Sequence, residues 1–249
     1  MSDVSLVTLL WVFVTFFAAG LVKGVTGMGL PTVAMGLLGA VMSPLAAASL
    51  LIAPSFVTNV WQLMAGPRLG ALAARLWPML LAIALGTVLG AAWIARGDAE
   101  TTTGLLGIAL ALYAGVTLFG RQCRVPPRME RALSPLVGGA TGLVTGATGV
   151  FVIPAVPYLQ ALNLPKNDLV QALGLSFTAS TVALAFGLGA HGAFRADEAL
   201  LSALAVLPAL GGMWAGQRVR DRISPAAFRR GFLIALLLLG CEMAARPLY

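Results

Sequence analysis

The stretch GLVKGVTG, Gly20 to Gly27, sets a lysine, a threonine and closely spaced glycines inside an apolar segment. GLVTGATG repeats it at Gly142 to Gly149, with six of eight positions identical. Residues of these types can bind an anion. Gly27, Gly29 and Gly149 can bring unshielded backbone N–H groups to the start of a short helix, where positive partial charge and unused donors suit an oxyanion. Thr26 and Thr148 can add hydroxyl donors. Lys23 brings a full charge, which is costly at membrane depth unless it faces an anion or snorkels to the interface at the end of its span. Its repeat partner is Thr145, so the two copies are chemically unequal there. The same glycines would also let helices pack closely.

A polar stripe follows each motif. Ser55, Asn59 and Gln62 are spaced i, i+4 and i+7 along one helical face, with Thr58 adjacent, and the second copy offers Ser176 and Ser180 at corresponding positions. Serines in membranes often join helices, whereas the carboxamide of Asn59 needs several partners when buried and is expected to line a site. The expected substrate-binding set is Lys23, Thr26, Gly27, Gly29, Ser55, Asn59, Thr148, Gly149, Ser176 and Ser180. No catalytic residue, metal ligand or cofactor is expected.

Other chemistry lacks its residues. All acids except Asp168 fall in expected external regions or beside arginines, with no paired carboxylates inside an apolar run. His191 is the only histidine and is expected in a solvated loop. Cys123 and Cys241 are expected at opposite membrane faces, too far apart to pair. Lys23 is followed by Gly24-Val25 and Lys166 by Asn167-Asp168, so neither completes a phosphate-binding loop, and direct ATP drive is not expected.

The elements that must position these residues are membrane helices. Apolar residues make up 59% of the 249 and charged residues 10%, with mean hydropathy +0.93, against roughly 25% charged in a soluble domain. The partner of such a chain is the lipid bilayer. The net charge of +7 does not indicate nucleic acid, because the basic residues sit in short gaps between apolar runs, where they report orientation. The runs are approximately 5–22, 28–41, 45–65, 71–95 and 102–120, then 133–149, 150–162, 168–190, 196–217 and 227–245. A span takes about 20 helical residues, so runs 28–41 and 150–162, which carry Pro31, Pro154 and Pro157, are expected to be broken or re-entrant.

Arginine placement then orients the chain. Arg68, Arg75, Arg121, Arg124, Arg128, Arg131, Arg218, Arg220, Arg222, Arg229 and Arg230 occupy one set of gaps, while Arg96 and Arg195 sit beside Asp98, Glu100, Asp197 and Glu198 in the other. Assigning the first set to the cytoplasm places both termini outside and gives the two copies opposite polarity. The expected fold class is therefore an all-α polytopic membrane protein. Two inverted-topology repeats of about five hydrophobic segments each would span residues 1–120 and 132–249, joined by a loop at 121–131. In total, 8–10 membrane segments are expected. The N-terminal stretch lacks a basic leader and carries Asp3, so it is expected to be retained rather than cleaved.

The paired motifs GLVKGVTGMGLP and GLVTGATGVFVIP, the Ser55-Phe56 and Ser176-Phe177 pairs and the total length resemble the TauE/SafE sulfite exporter family, also called the toluene sulfonate uptake permeases. The resemblance implies a multi-pass protein of the cytoplasmic (inner) membrane whose partner is a small sulfur-containing anion, such as sulfite or a sulfonate. The expected function is secondary transport by alternating access, driven by a coupling ion such as H+ or Na+. A passive anion channel or a non-transporting assembly partner stand as alternatives, and a homo-oligomer is compatible with all three. The second motif replaces Met28-Gly29 with Val150-Phe151, so the two copies are not expected to hold an anion equally.

Overall fold

The computed structural model describes residues 6–120, 124–193, 196–220 and 222–248. Asp3, Arg121, Cys123, Arg195 and the side chain of Asp197 lie outside the described set. Among the described residues there are ten α-helices and a short 3-10 turn, and no strand. The first five are α1 (Leu6–Thr26), α2 (Leu30–Gly39), α3 (Pro44–Met64), α4 (Leu69–Arg96) and α5 (Ala99–Phe119). The second five are α6 (Pro127–Thr148), α7 (Ala155–Ala161), α8 (Lys166–Ala190), α9 (Ala196–Arg220) and α10 (Pro225–Ala245). Six of them (α1, α3, α4, α5, α8 and α9) are long and apolar enough to cross a membrane. A helix of 21 residues reaches about 31 Å, whereas α2 at 10 residues reaches about 15 Å. α2 and α7 are therefore the broken elements expected from runs 28–41 and 150–162, and α2 is almost wholly enclosed by protein.

Helix boundaries follow local chemistry. Ser43 and Asp98 accept backbone N–H bonds from Ala46 and Thr101 at the starts of α3 and α5, which satisfies donors that a helix start leaves unpaired. Pro54 removes a rung from α3. The Leu50 carbonyl it frees accepts from Ser202 Oγ of α9 at 2.9 Å, and that serine hydroxyl in turn accepts from Ala53 N at 3.0 Å.

Packing directions reveal how the copies are related. Asn59 bonds Thr181, Gln62 reaches Val170, and Gln171 reaches Leu63 and Gly66, so numbers rise along α3 as they fall along α8. These equivalent helices run antiparallel. α5 and α10 also run antiparallel, with Gly104 against Pro247 and Gly107 against Gly240 and Ala244. By contrast, α1 packs parallel to α9 and α6 parallel to α4, so each copy's first helix lies beside the other copy's fourth. Exchanging the halves turns α1–α9 into α6–α4 and maps the antiparallel α3–α8 and α5–α10 pairs onto themselves, as a two-fold axis lying in the membrane plane requires. The two repeats are inverted.

Glycines weld the parallel pairs. Gly20 and Gly24 of α1 face Ala209, Met213 and Gly216 of α9, while Gly142 and Gly146 of α6 face Ile83, Gly86, Thr87 and Gly90 of α4. Backbones approach so closely that a Cβ at any of these four glycines would strike a neighbouring carbonyl oxygen.

Candidate anion site

Each duplicated motif divides into two structural parts. Its i, i+4 glycines pack helices, and its last glycine turns the chain out of the helix at positive φ: 79° at Gly27 and 71° at Gly149. Threonine stabilises both exits in the same way. Thr26 Oγ1 donates to Val22 O (2.8 Å) or Met28 O (2.7 Å) and accepts from Met28 N at 3.3 Å. Thr148 Oγ1 donates to Val144 O (2.6 Å) and accepts from Val150 N at 3.3 Å. Both hydroxyls are thus engaged with backbone.

The two exits differ in what surrounds them. Nothing lies within 4 Å of where a Cβ on Gly27 would stand, and Gly29, at φ 99°, starts α2 with no side-chain cap. Pro31 lacks an N–H, which leaves few donors in that first turn. At the other exit, Met35 of α2 reaches to 2.9 Å from the Cβ position of Gly149, and Val150, Phe151 and Val152 are fully buried. Thr148 lines an apolar outer groove with Trp93, Ile108 and Ile153. The first break keeps space only at Gly27, whose N–H is bonded to Lys23 O at 2.7 Å rather than left unshielded, while Val22 and Phe232 pack on Gly29. The second break is filled, in keeping with Val150-Phe151 standing where the first copy has Met28-Gly29.

Lys23 lies at the first break. Its side chain does not snorkel to an interface: the residue is only 4% exposed, and its Nζ donates to Thr58 Oγ1 at 3.1 Å and to Asn59 Oδ1. Asn59 Nδ2 in turn donates to Thr181 Oγ1 of α8 at 3.3 Å. All of these partners are neutral, and no carboxylate pairs with Lys23 among the described residues.

Around this lysine lie buried hydroxyls that have no partner. Ser55, Ser176 and Ser180 are fully buried, and none of their Oγ atoms makes a hydrogen bond; Gln62 Oε1 is also unpaired. The antiparallel register sets Ser180 level with Asn59, with Ser55 and Ser176 about one turn to either side. The seam between α3 and α8 thus gathers Lys23, Asn59, Ser55, Ser176 and Ser180, with Gly27 and Gly29 at its edge, whereas Thr148 and Gly149 belong to the filled break.

A set of polar ties closes the seam at one end. Gln171 Nε2 donates to Leu63 O (2.9 Å) and Gly66 O (2.6 Å), and its Oε1 accepts from Arg68 N at 3.0 Å. Arg68 Nη1 pairs with Asp168 Oδ2 at 2.9 Å, and Gln62 Nε2 bridges Gly27 O and Val170 O at 3.1 Å each. Sequence reasoning did not find Thr181, Gln171 or the Arg68–Asp168 pair. The spacing of Asp168 and Gln171 on one face at the start of α8 was the available signal.

Comparison with known proteins gives one result. The family model described as Sulfite exporter TauE/SafE matches residues 12–243, nearly the whole chain. No curated protein and no solved structure matches it.

Proposed function

Because the chain belongs to the sulfite exporter TauE/SafE family, we propose that it is a secondary carrier of small sulfur-containing anions, sulfite or sulfonates, working by alternating access. One observation carries the reading. The Lys23 ammonium is buried against neutral oxygens only, beside three buried hydroxyls with no partner. Burying a charge without a counter-ion is strongly unfavourable, and each orphaned hydroxyl adds a further penalty of about 1–3 kcal/mol. An oxyanion at the seam meets both needs. Its negative charge pairs with Lys23, and its acceptor oxygens take the proton of Ser180 and that of Ser55 or Ser176, which lie about one turn to either side.

The inverted repeat supplies a route for exchange. The α1–α9 and α4–α6 pairs act as rigid bodies on either side of the α3–α8 seam, and related halves can adopt each other's conformations in turn. Polar ties join the halves at the arginine-rich end in the conformation described. We assign that end to the cytoplasm of the inner membrane on the positive-inside bias, with both termini outside. A proton or sodium gradient drives the cycle in this reading.

Uptake into proteoliposomes tests it, using labelled sulfite, sulfate and an arenesulfonate under imposed proton or sodium gradients. A carrier saturates and shows counterflow of labelled against unlabelled anion. Ohmic anion conductance without counterflow would mean a channel, and no flux of any of these anions would end the proposal.

A further inference from the structure

We propose a second anion site, separate from the central seam, in which the arginine-rich end of the α4–α6 groove holds the phosphate of an anionic phospholipid. A cavity of about 550 Å³ opens there, lined by Ala74, Arg75, Trp77, Glu130, Arg131 and Ser134 among others. Its charge is uneven. Arg75 is bound by Glu130 in a two-pronged pair, Nε to Oε1 at 2.6 Å and Nη2 to Oε2 at 2.7 Å, which cancels both charges. Arg131 is exposed and has no acidic partner among the described residues, so the cavity keeps one unspent positive charge. Ser134 and Glu130 are tied to α7 through Tyr158, whose hydroxyl meets Ser134 Oγ at 2.7 Å and donates to Glu130 O at 3.2 Å, so the wall of the cavity is fixed.

Depth identifies the occupant. Arg75 and Arg96 lie 21 residues apart on α4 and therefore about 31 Å apart along its axis, the thickness of the hydrocarbon layer. With Arg96 at one boundary, Arg75 and the exposed Trp77 stand at the other, where headgroups lie and where tryptophan is favoured. The α6 wall begins in the first turn of its helix, at Pro127 and Glu130, and that helix end adds positive partial charge. A phosphodiester anchored on Arg131 can lay its acyl chains along the exposed apolar side chains of Trp77 and Leu81. A net negative headgroup fits the single free charge better than a zwitterionic one, whose amine would meet Arg131.

Native mass spectrometry of the purified protein, titrated with phosphatidylglycerol or phosphatidylcholine, is the test. Wild type should hold phosphatidylglycerol more tightly than phosphatidylcholine, and Arg131→Gln should weaken the tightest phosphatidylglycerol adduct about five-fold. Ala74→Phe, which fills the mouth without changing charge, should do the same while the protein remains monodisperse. Unchanged adducts in both variants, equal retention of the two lipids, or release of the lipid by millimolar inorganic phosphate would overturn the proposal. The readout is independent of transport, so it stands or falls apart from the central site.

Discussion

Asn59 and Thr181, 122 positions apart, meet across the seam where the two repeats face each other, Nδ2 to Oγ1 at 3.3 Å. The separation nearly equals the repeat offset, so they lie close to the axis relating the halves. Asn59 also accepts from Lys23, which places this buried cation beside that axis. A central ligand there would stay within reach of both halves in either conformation.

Replacing Lys23 separates a ligand role from a structural one. Lys23→Gln keeps a donor for Thr58 and Asn59 while removing the buried charge. Anion transport should fall at least ten-fold, since a close charge pair is worth about 1.5 kcal/mol or more. Thermal stability in detergent should hold or rise, because a neutral amide is easier to bury than an ammonium. A lower melting temperature with transport intact would make Lys23 a packing residue.

Asn59→Asp sets a carboxylate against Lys23 and fills the site with an internal anion. Transport should drop below that of Asn59→Ala, in which the lysine charge remains available. Loss of a hydrogen bond that orients a charged group costs about 1.5–3 kcal/mol, so Asn59→Ala should weaken apparent anion affinity roughly ten- to hundred-fold. The check is the concentration dependence of uptake in both variants, after equal membrane insertion has been confirmed.

Much of this was legible because duplication writes itself into sequence. The inverted repeat, the short second segments and the stripe of Ser55, Asn59, Ser176 and Ser180 all follow from spacing and charge. The depth of Lys23 did not, because its apolar run stops at residue 22 whereas α1 continues to Thr26 and buries the lysine against α3. Nor did the division of labour among glycines. Gly86, Gly90, Gly212 and Gly216 read as echoes of one another, yet Gly86, Gly90 and Gly216 are the packing mates of Gly142, Gly146 and Gly24, while Gly212 packs on the backbone of Phe17 and Leu21, and only a three-dimensional pairing joins them. Met35 filling the second break is equally invisible, since α2 and Gly149 lie far apart in the chain.

The glycine welds make a sharp contrast in stability. Gly24→Ala and Gly146→Ala drive a Cβ into the backbone of α9 or α4 and should destabilise by about 1–3 kcal/mol, as overpacking does. Gly139, on α6 with nothing within 4 Å of its Cβ position, should tolerate alanine and gain the few tenths to 1 kcal/mol of helix propensity. Melting temperatures of the three variants in one detergent decide it; equal shifts would mean that the α1–α9 and α4–α6 contacts are not tight.

The ties at the arginine-rich end predict how the seam opens. Asp168 is nearly buried and Arg68 is largely exposed, so their pair alone adds little, about 0–1 kcal/mol. Gln171 contributes more, because it binds two carbonyls and one amide of the α3–α4 turn at once. Gln171→Ala should therefore loosen that end more than Asp168→Ala. A cysteine introduced at Ser176, about one turn inside the ties, reports the change. Its labelling by a membrane-impermeant maleimide from the arginine-rich side should rise several-fold with Gln171→Ala and less with Asp168→Ala. Equal, slow labelling in all three proteins would show that these bonds do not hold the seam shut, and would leave the Gln62 bridge from Gly27 to Val170 as the closing contact.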